Sequence, residues 1–197
     1  MPELVPPTTA VRESFLAAVA EFRAEHDNSE NAEHWTGTEV FPDERWSDET
    51  LATAAGFAAF VERLKQTARE DCPGRPDDYV PGTHLWWVDG STYLGRISIR
   101  HRLTPFLLHI GGHIGYAVRP SARRRGHATA MLAAALPVVH SLGIDPALVT
   151  CDDDNLASRK VIESAGGVFQ DQRETKLRYW VSTSQRSSAR TPKPVAP

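Results

Sequence analysis

A change in hydrophobic period near Thr83 constrains the fold more than any other feature of the sequence. Before it, apolar residues at helical spacing predict one helix over residues 11–22 and a second over residues 48–69. From Thr83 the stretch THLWWVDGSTYLGRISIR is rich in β-branched and aromatic residues. It predicts two strands joined by a hairpin turn at Asp89-Gly90. The chain therefore has to combine leading helices with a sheet.

The remaining patterns alternate between strand and helix. LLHIGGHIGYAV predicts a strand, and the stripe that follows predicts a helix that Pro137 should kink or shorten. PALVTCDDDN predicts a buried strand, the next helix is capped by Asn155 and stopped at Gly166, and KLRYWV predicts a last strand. This order is typical of an α/β or α+β domain around one mixed sheet.

The length of 197 residues fits one domain. We expect it to span residues 1–181, with an N-terminal helical part over 1–82 and a core over 83–181. The tail from 182 to 197 is polar and proline-rich, and we expect it to be disordered.

Composition excludes several classes of function. A net charge of -3 argues against a protein that coats nucleic acid or an anionic membrane, and no apolar run is long enough to span a bilayer. The two cysteines, Cys72 and Cys151, lack a Cys-x-x-Cys or Cys/His spacing, so we expect reduced thiols and no metal site. The N-terminus has no signal-peptide pattern, which predicts a cytoplasmic protein.

The stretch VRPSARRRGHATAML concentrates positive charge where a helix begins. Amide groups in the first helical turn bind anions, Gly126 leaves room for a bulky anion, and the side chains from Arg123 to Arg125 add charged donors. The pattern predicts a phosphate site, most simply for a pyrophosphate, and it matches neither a P-loop nor a G-x-G-x-x-G turn. A solvated helix start and an RNA-contacting patch are the alternative interpretations.

These residues resemble the coenzyme A site of the GNAT superfamily of N-acetyltransferases. The resemblance is carried by Arg123-x-x-Gly126-x-Ala128 after YAVRP, and by CDDDNLASRKVIESAGG downstream. GRISIRHRL with GGHIGYAVRPSARRRGHA is similar, more narrowly, to a branch of bacterial acetyltransferases. The resemblance implies a GNAT-like mixed, mostly antiparallel central sheet flanked by helices, with acetyl-CoA as cosubstrate and no metal.

The resemblance also implies a coenzyme site. The turn and first helical residues would hold the pyrophosphate largely through backbone amides, and one strand would pair with the pantetheine arm. An amide near Val118 would stabilise the oxyanion formed when an amine attacks the thioester. The implied coenzyme-binding residues are Tyr116, Ala117, Val118, Arg123, Arg124, Arg125, Gly126, His127, Ala128, Thr129, Asn155 and Ser158.

The sequence departs from the family at the residue that protonates the leaving thiolate. Many relatives have a tyrosine in the second helix where this chain has Ile162. Tyr116, Tyr179 or Cys151 could supply the proton, or it could come from water.

The base that deprotonates the amine also has several candidates. His113 is the first of them, ahead of His101 and of a carboxylate acting through water. A structural role in a strand is the alternative interpretation of His113.

Residues 27–49 carry eight acidic residues against one arginine, with Trp35, Phe41 and Trp46 among them. This segment either serves solubility or forms a pocket for a cationic amine. We therefore predict an N-acetyltransferase that moves the acetyl group of acetyl-CoA to a small-molecule primary amine by direct transfer in a ternary complex, as a monomer or homodimer. A coenzyme-binding module without activity and a protein or peptide N-acetyltransferase are the alternatives.

Overall fold

Five α-helices lie in the part of the chain that the structure describes. It is a computed structural model, and it describes residues 1–26, 36–41 and 44–184. The helices are α1 (Arg12–His26), α2 (Asp48–Ala52), α3 (Ala54–Gln66), α4 (His127–Ser141) and α5 (Leu156–Ser164). None of them has the length and hydrophobicity that a membrane crossing requires.

The same described ranges contain nine strands. They are β1 (Glu3–Val5), β2 (Glu39–Phe41), β3 (Glu44–Arg45), β4 (Gly82–Asp89), β5 (Thr92–Arg100), β6 (Ile114–Val118), β7 (Ala147–Asp152), β8 (Val168–Arg173) and β9 (Lys176–Val181). Seven of them form one sheet in the order β1-β4-β5-β6-β7-β9-β8, and β2 pairs with β3 separately. Only β6 and β7 pair in parallel within the described sheet, so the prediction of a mixed, mostly antiparallel sheet flanked by helices is confirmed.

The sheet separates two apolar cores. On one face, α1 and α3 cover an aromatic cluster in which Phe15 stacks on Trp86 with ring centroids 5.0 Å apart. On the other face, α4 and α5 pack over Ile97, Ile99 and other strand residues. Successive residues along a strand point to opposite faces of the sheet, so each central strand contributes side chains to both cores.

The structure corrects four sequence predictions. The helix predicted over 48–69 is interrupted at Thr53, whose extended backbone and side chain cap α3 by accepting the Gly56 amide at 3.0 Å. The strand predicted over 107–118 begins at Ile114, because Leu107–Gly111 forms a single π-helical turn. The hairpin turn lies at Gly90-Ser91. Of the two effects predicted for Pro137, shortening does not occur, because α4 runs through it to Ser141.

The sequence analysis did not predict four of the strands. It also placed the end of the domain at residue 181, whereas residues after it still contact the core. The unpredicted strands are the short β1, β2 and β3 and the edge strand β8. Thr183 is buried, and its backbone amide donates to Asp145 Oδ1 at 2.9 Å, so the chain remains attached beyond residue 181. The rest of the predicted disordered tail, residues 185–197, lies outside the described residues.

Candidate functional site

The strands β6 and β7 part soon after they pair. Ile114 and Val149 form their one register pair in the described sheet. On the other side of β6, the Arg119 amide donates to the Leu94 carbonyl of β5 at 2.9 Å. In the antiparallel register of β5 and β6, this bond determines which residues of β6 direct their amides towards β5 and which direct them away from it. The amides of Tyr116 and Val118 therefore point away from β5 and into the gap. This gap presents strand donors with no strand opposite them.

His113 closes the narrow end of the gap. Its amide donates to the Leu148 carbonyl at 2.7 Å, and its Nδ1 accepts the Leu148 amide at 2.9 Å. Burial, and next the Arg100 charge, lower its pKa to about 4, so the ring is neutral at pH 7. Its one acceptor nitrogen is then occupied. That His113 is the base stays a prediction, and this geometry counts against it.

The arginine-rich turn has the conformation of an anion-binding loop. Arg124 and Gly126 have positive φ angles of 65° and 81°, and Gly126 is the N-cap of α4. A side chain at Gly126 would meet nothing within 4 Å, so its Cα borders open space. The first amides of α4 lack helical partners, and they face this space with the positive end of the helix dipole.

The turn and the gap share one cavity of about 530 Å³. Eleven of the twelve predicted coenzyme-binding residues line it, all except Arg125, and their role in binding stays a prediction. Ala157 and Val161 also line the cavity and were missed, because small apolar helix residues carry no chemical signal in a sequence. The lining residues are Tyr116, Ala117, Val118, Arg123, Arg124, Gly126, His127, Ala128, Thr129, Asn155, Ala157, Ser158 and Val161.

The side chain of Arg123 is committed to the protein rather than to a ligand. Its guanidinium forms a two-pronged ion pair with Glu25 of α1, and its Nε donates to the Val118 carbonyl at 3.1 Å. Arg123 therefore fixes the turn against α1. The backbone amides of the turn and the Arg124 side chain remain as donors on the cavity wall.

Tyr116 spans the cavity from β6 to α5. Its hydroxyl lies 2.7 Å from the Ser158 Oγ, and burial raises its pKa to about 12 although the bond to Ser158 opposes this. The hydroxyl is therefore protonated at neutral pH. Among the described residues that line this cavity, Tyr116 is the one tyrosine.

The other candidate acids and bases lie elsewhere. Tyr179 is buried in the core against Phe169, and Cys151 is a buried thiol whose pKa is raised mainly by burial. Ile162, which stands where many relatives have a tyrosine, is fully buried in the same core and has no proton to donate. The His101 Nε2 lies 2.8 Å from the Thr83 Oγ1, and its pKa is lowered chiefly by burial.

The acidic segment is largely neutralised where the structure describes it. Glu39 pairs with Arg45, Glu44 pairs with Arg63 at 2.7 Å, and Asp48 pairs with Arg23. Phe41 and Trp46 pack against Tyr79 and Phe60, which attaches the segment to the core. Trp35, Asp27, Glu30, Glu33 and Asp43 lie outside the described residues.

A basic patch lies on the opposite face of the sheet, and the sequence analysis did not assign it. It consists of His84 on β4 and of Arg96, Ser98 and Arg100 on β5, all partly accessible. The alternation of these polar residues with Ile97 and Ile99 in GRISIR is a signal that could have placed them on one face. Across residues 1–26, 36–41 and 44–184, no group of three or more His, Cys, Asp and Glu side chains is arranged to hold a metal.

The sheet parts between two parallel strands, beside a helix that starts at the arginine-rich turn, and this arrangement fits the class of coenzyme A acyltransferases that the sequence resembles. Within that class, the family model "Acetyltransferase (GNAT) domain" matches residues 15–168, and the chain belongs to this family. It is an acetyltransferase.

Solved structures of similar fold come from the same family. The Mycobacterium smegmatis RimJ, in complex with CoA-disulfide, has a TM-score of 0.58 and 17% identity, over 92% of this chain and 81% of that one. The microcin C7 self-immunity acetyltransferase MccE, in complex with acetyl-CoA and AMP, has a TM-score of 0.57 and 12% identity, over 92% of each chain. The ribosomal-protein-S5-alanine acetyltransferase of Vibrio fischeri has a TM-score of 0.57 and 14% identity, over 93% of each chain. A search of curated proteins found no match.

Proposed function

We propose that this protein acetylates a primary amine of a small molecule, by direct transfer from acetyl-CoA in a ternary complex. The observation that carries the proposal is the position of β6 between two accessible sites. Tyr116 and Val118 line the cavity on the α4 and α5 side, while Gly115 faces the basic patch on the α1 side. Each substrate then has its own face of the sheet, and the two meet at the gap beside β6.

The residues of the cavity fit the donor. The amides at the start of α4 and the turn from Arg123 to Gly126 would hold the pyrophosphate, since they combine a helix dipole with open space at a glycine. The outward amides of Tyr116 and Val118 would bind an extended arm as a neighbouring strand does. Acetyl-CoA supplies an activated acetyl group, and a strand amide near Val118 would donate to its carbonyl oxygen.

We assign to Tyr116 the protonation of the coenzyme thiolate that leaves when the acetyl group is transferred. Tyr116 is protonated at neutral pH, it lies on the cavity, and Ser158 fixes its hydroxyl at 2.7 Å. Tyr116→Phe removes the hydroxyl and keeps the ring, so kcat should fall while the Kd of acetyl-CoA stays unchanged.

The donor site is tested by calorimetric titration of acetyl-CoA into Gly126→Glu and a matched Gly143→Glu. Both glycines have φ near 80° and open space beside them, but Gly143 lies at the far end of α4 and outside the cavity. Gly126→Glu should weaken binding at least about tenfold, because it places a carboxylate against the pyrophosphate. Equal affinity for acetyl-CoA in the two folded variants would show that acetyl-CoA does not bind in this cavity.

The acceptor class is tested by a panel of amino acids, polyamines, aminoglycosides and short peptides, with release of the coenzyme thiol as the signal. Turnover of small amines ahead of peptides is the expected result. A preference for peptide N-termini or lysines would replace the small-molecule acceptor with a protein.

A further inference from the structure

The basic patch lies on the face of the sheet that the donor does not use. His84 pairs in register with Ser98, which pairs with Gly115 of β6. Arg96 and Arg100 flank Ser98 along β5 and point to the same face. The Phe22 ring of α1 lies 5.4 Å from the Arg96 guanidinium carbon, which identifies this as the α1 face.

Arg100 is a mostly buried cation whose hydrogen bonds go to uncharged groups. Its Nη1 donates to the carbonyls of Gly111 and Gly112 at 3.3 Å, and its guanidinium makes no ion pair with any described carboxylate. Burial lowers its pKa, which reflects the cost of a charge removed from water without a counter-charge. Buried arginines are normally matched by an anion.

The neighbouring groups leave the patch positive. His84 has a pKa of about 4, lowered first by burial and then by Arg96 and Arg100, so it is neutral at pH 7. The charges of Arg96 and Arg100 both act on this ring. The described acids of the adjoining loop, Glu39 and Glu44, are hydrogen-bonded to Arg45 and Arg63 instead.

Gly115 provides room in front of these groups. A Cβ built on it would lie 3.4 Å from the Ser98 Oγ and 3.8 Å from the Arg100 Nη1. Because Gly115 has no side chain, space is left between the Ser98 hydroxyl and the Arg100 guanidinium. This space lies two residues along β6 from Ala117, which lines the cavity. A guanidinium with a hydroxyl beside it is a donor set suited to a carboxylate or a phosphate.

We propose that the basic patch binds an anionic oxygen group that belongs to the same molecule as the acceptor amine. The inference rests on the proposed function and makes the acceptor an amino acid or a similarly small amine that carries a carboxylate or phosphate. The same positive charges disfavour an ammonium ion beside them and so lower the pKa of the bound amine. The patch would therefore help the amine to arrive neutral, without a dedicated side-chain base.

The experiment compares acceptors that differ only in the anionic group. Leucine is set against 3-methylbutylamine, and phosphoethanolamine against ethanolamine, with kcat and KM measured by thiol release from acetyl-CoA. Each pair is run on the wild type, on Arg100→Met, and on Arg102→Met as control. Arg102 is exposed and pairs with Glu70 at 2.7 Å.

The wild type should prefer the anionic member of at least one pair, and the pair it prefers identifies carboxylate or phosphate. Arg100→Met should lower kcat/KM for that member about 10- to 100-fold, mainly through KM, and leave its partner unchanged. Arg102→Met should behave as the wild type.

Three results would overturn the inference: equal use of both members, an equal loss for both in Arg100→Met, or no turnover of either anionic amine by protein that binds acetyl-CoA. Absence of acetyl-CoA binding in the wild type is a different failure. It would overturn the proposed function, and the inference with it.

Discussion

His113 holds β6 and β7 together where the gap between them begins. Its Nδ1 accepts the Leu148 amide. Burial, and next the Arg100 charge, disfavour the charged ring, so its pKa is about 4 in the folded protein against 6.5 for a free histidine. The resulting loss of stability is absent above pH 6.5 and grows as the pH falls towards 4. It amounts to about 3 kcal/mol, since one pH unit corresponds to about 1.36 kcal/mol.

We predict that His113→Asn removes much of this acid sensitivity, because an amide oxygen can accept the same bond without titrating. The measurement is the free energy of unfolding in urea at pH 7, 5.5 and 4.5. His84 titrates in the same range and will leave some dependence. The kcat of the variant should keep the wild-type pH profile between 6 and 8. A flattened profile there would restore His113 as the base.

Single residues differ in how far the sequence could place them. Gly126 and its neighbours form one continuous motif, so their arrangement at the start of α4 follows from local rules of helix termini. The surroundings of Arg100 are formed by Gly111, Gly112 and Gly115, which lie beside it only once β5 and β6 have paired, so no local pattern predicts them. The direction of the Arg123 side chain depends on Glu25, 98 residues away, and no local pattern encodes it.

Helix α1 is attached to the segment that leads into the arginine-rich turn. Glu21 accepts hydrogen bonds from Arg119 Nε at 2.7 Å and from the Ser121 amide at 2.9 Å. Although partial burial opposes it, these bonds hold the pKa of Glu21 below its usual value. The position of the turn therefore depends on an N-terminal helix.

We predict that Glu21→Gln weakens acetyl-CoA binding a few-fold and lowers the free energy of unfolding by about 1–2 kcal/mol, because the ion pair with Arg119 is lost. Calorimetry and urea unfolding measure the two effects. Glu13→Gln is the control, since Glu13 is exposed in the first turn of the same helix. A loss of stability with unchanged affinity would show that α1 does not position the turn.

Elements with a clear period were predicted well, and those defined by pairing were not. The helices α1 and α5 and the strands β7 and β9 match their patterns. Strand β8 has exposed Val168 and Phe169 at a sheet edge, so it lacks the burial that produces an alternating pattern. The turn at Leu107–Gly111 was predicted as strand because Leu107, Leu108 and Ile110 are apolar, yet Gly112, with φ of 67°, separates it from β6.

At the scale of the whole molecule, the two cores share the strands but not their side chains. Trp87 faces the α4 side, where its Nε1 donates to the His127 Nδ1 at 3.2 Å. Its neighbour Trp86 points the other way and stacks on Phe15. Adjacent tryptophans therefore report on opposite faces of the sheet.

We predict that acetyl-CoA changes the tryptophan fluorescence through Trp87, because His127 lies on the cavity wall. The change should persist in Trp180→Phe, which alters a strand that does not line the cavity, and disappear in Trp87→Phe. A full response in Trp87→Phe would mean that binding acts on the other face of the sheet.

The parting of β6 and β7 also bears on aggregation. Unpaired strand donors usually lie at the rim of a sheet, where any extended chain can add to them, and proteins protect such rims with charge or irregularity. Here the unpaired donors of Tyr116 and Val118 lie in the middle, with α4 and α5 above them and strands on both sides. Another polypeptide strand at this place would bring side chains against α4 and α5, whereas a slender chain without side chains would not. We therefore expect this open edge to be protected from pairing with other proteins.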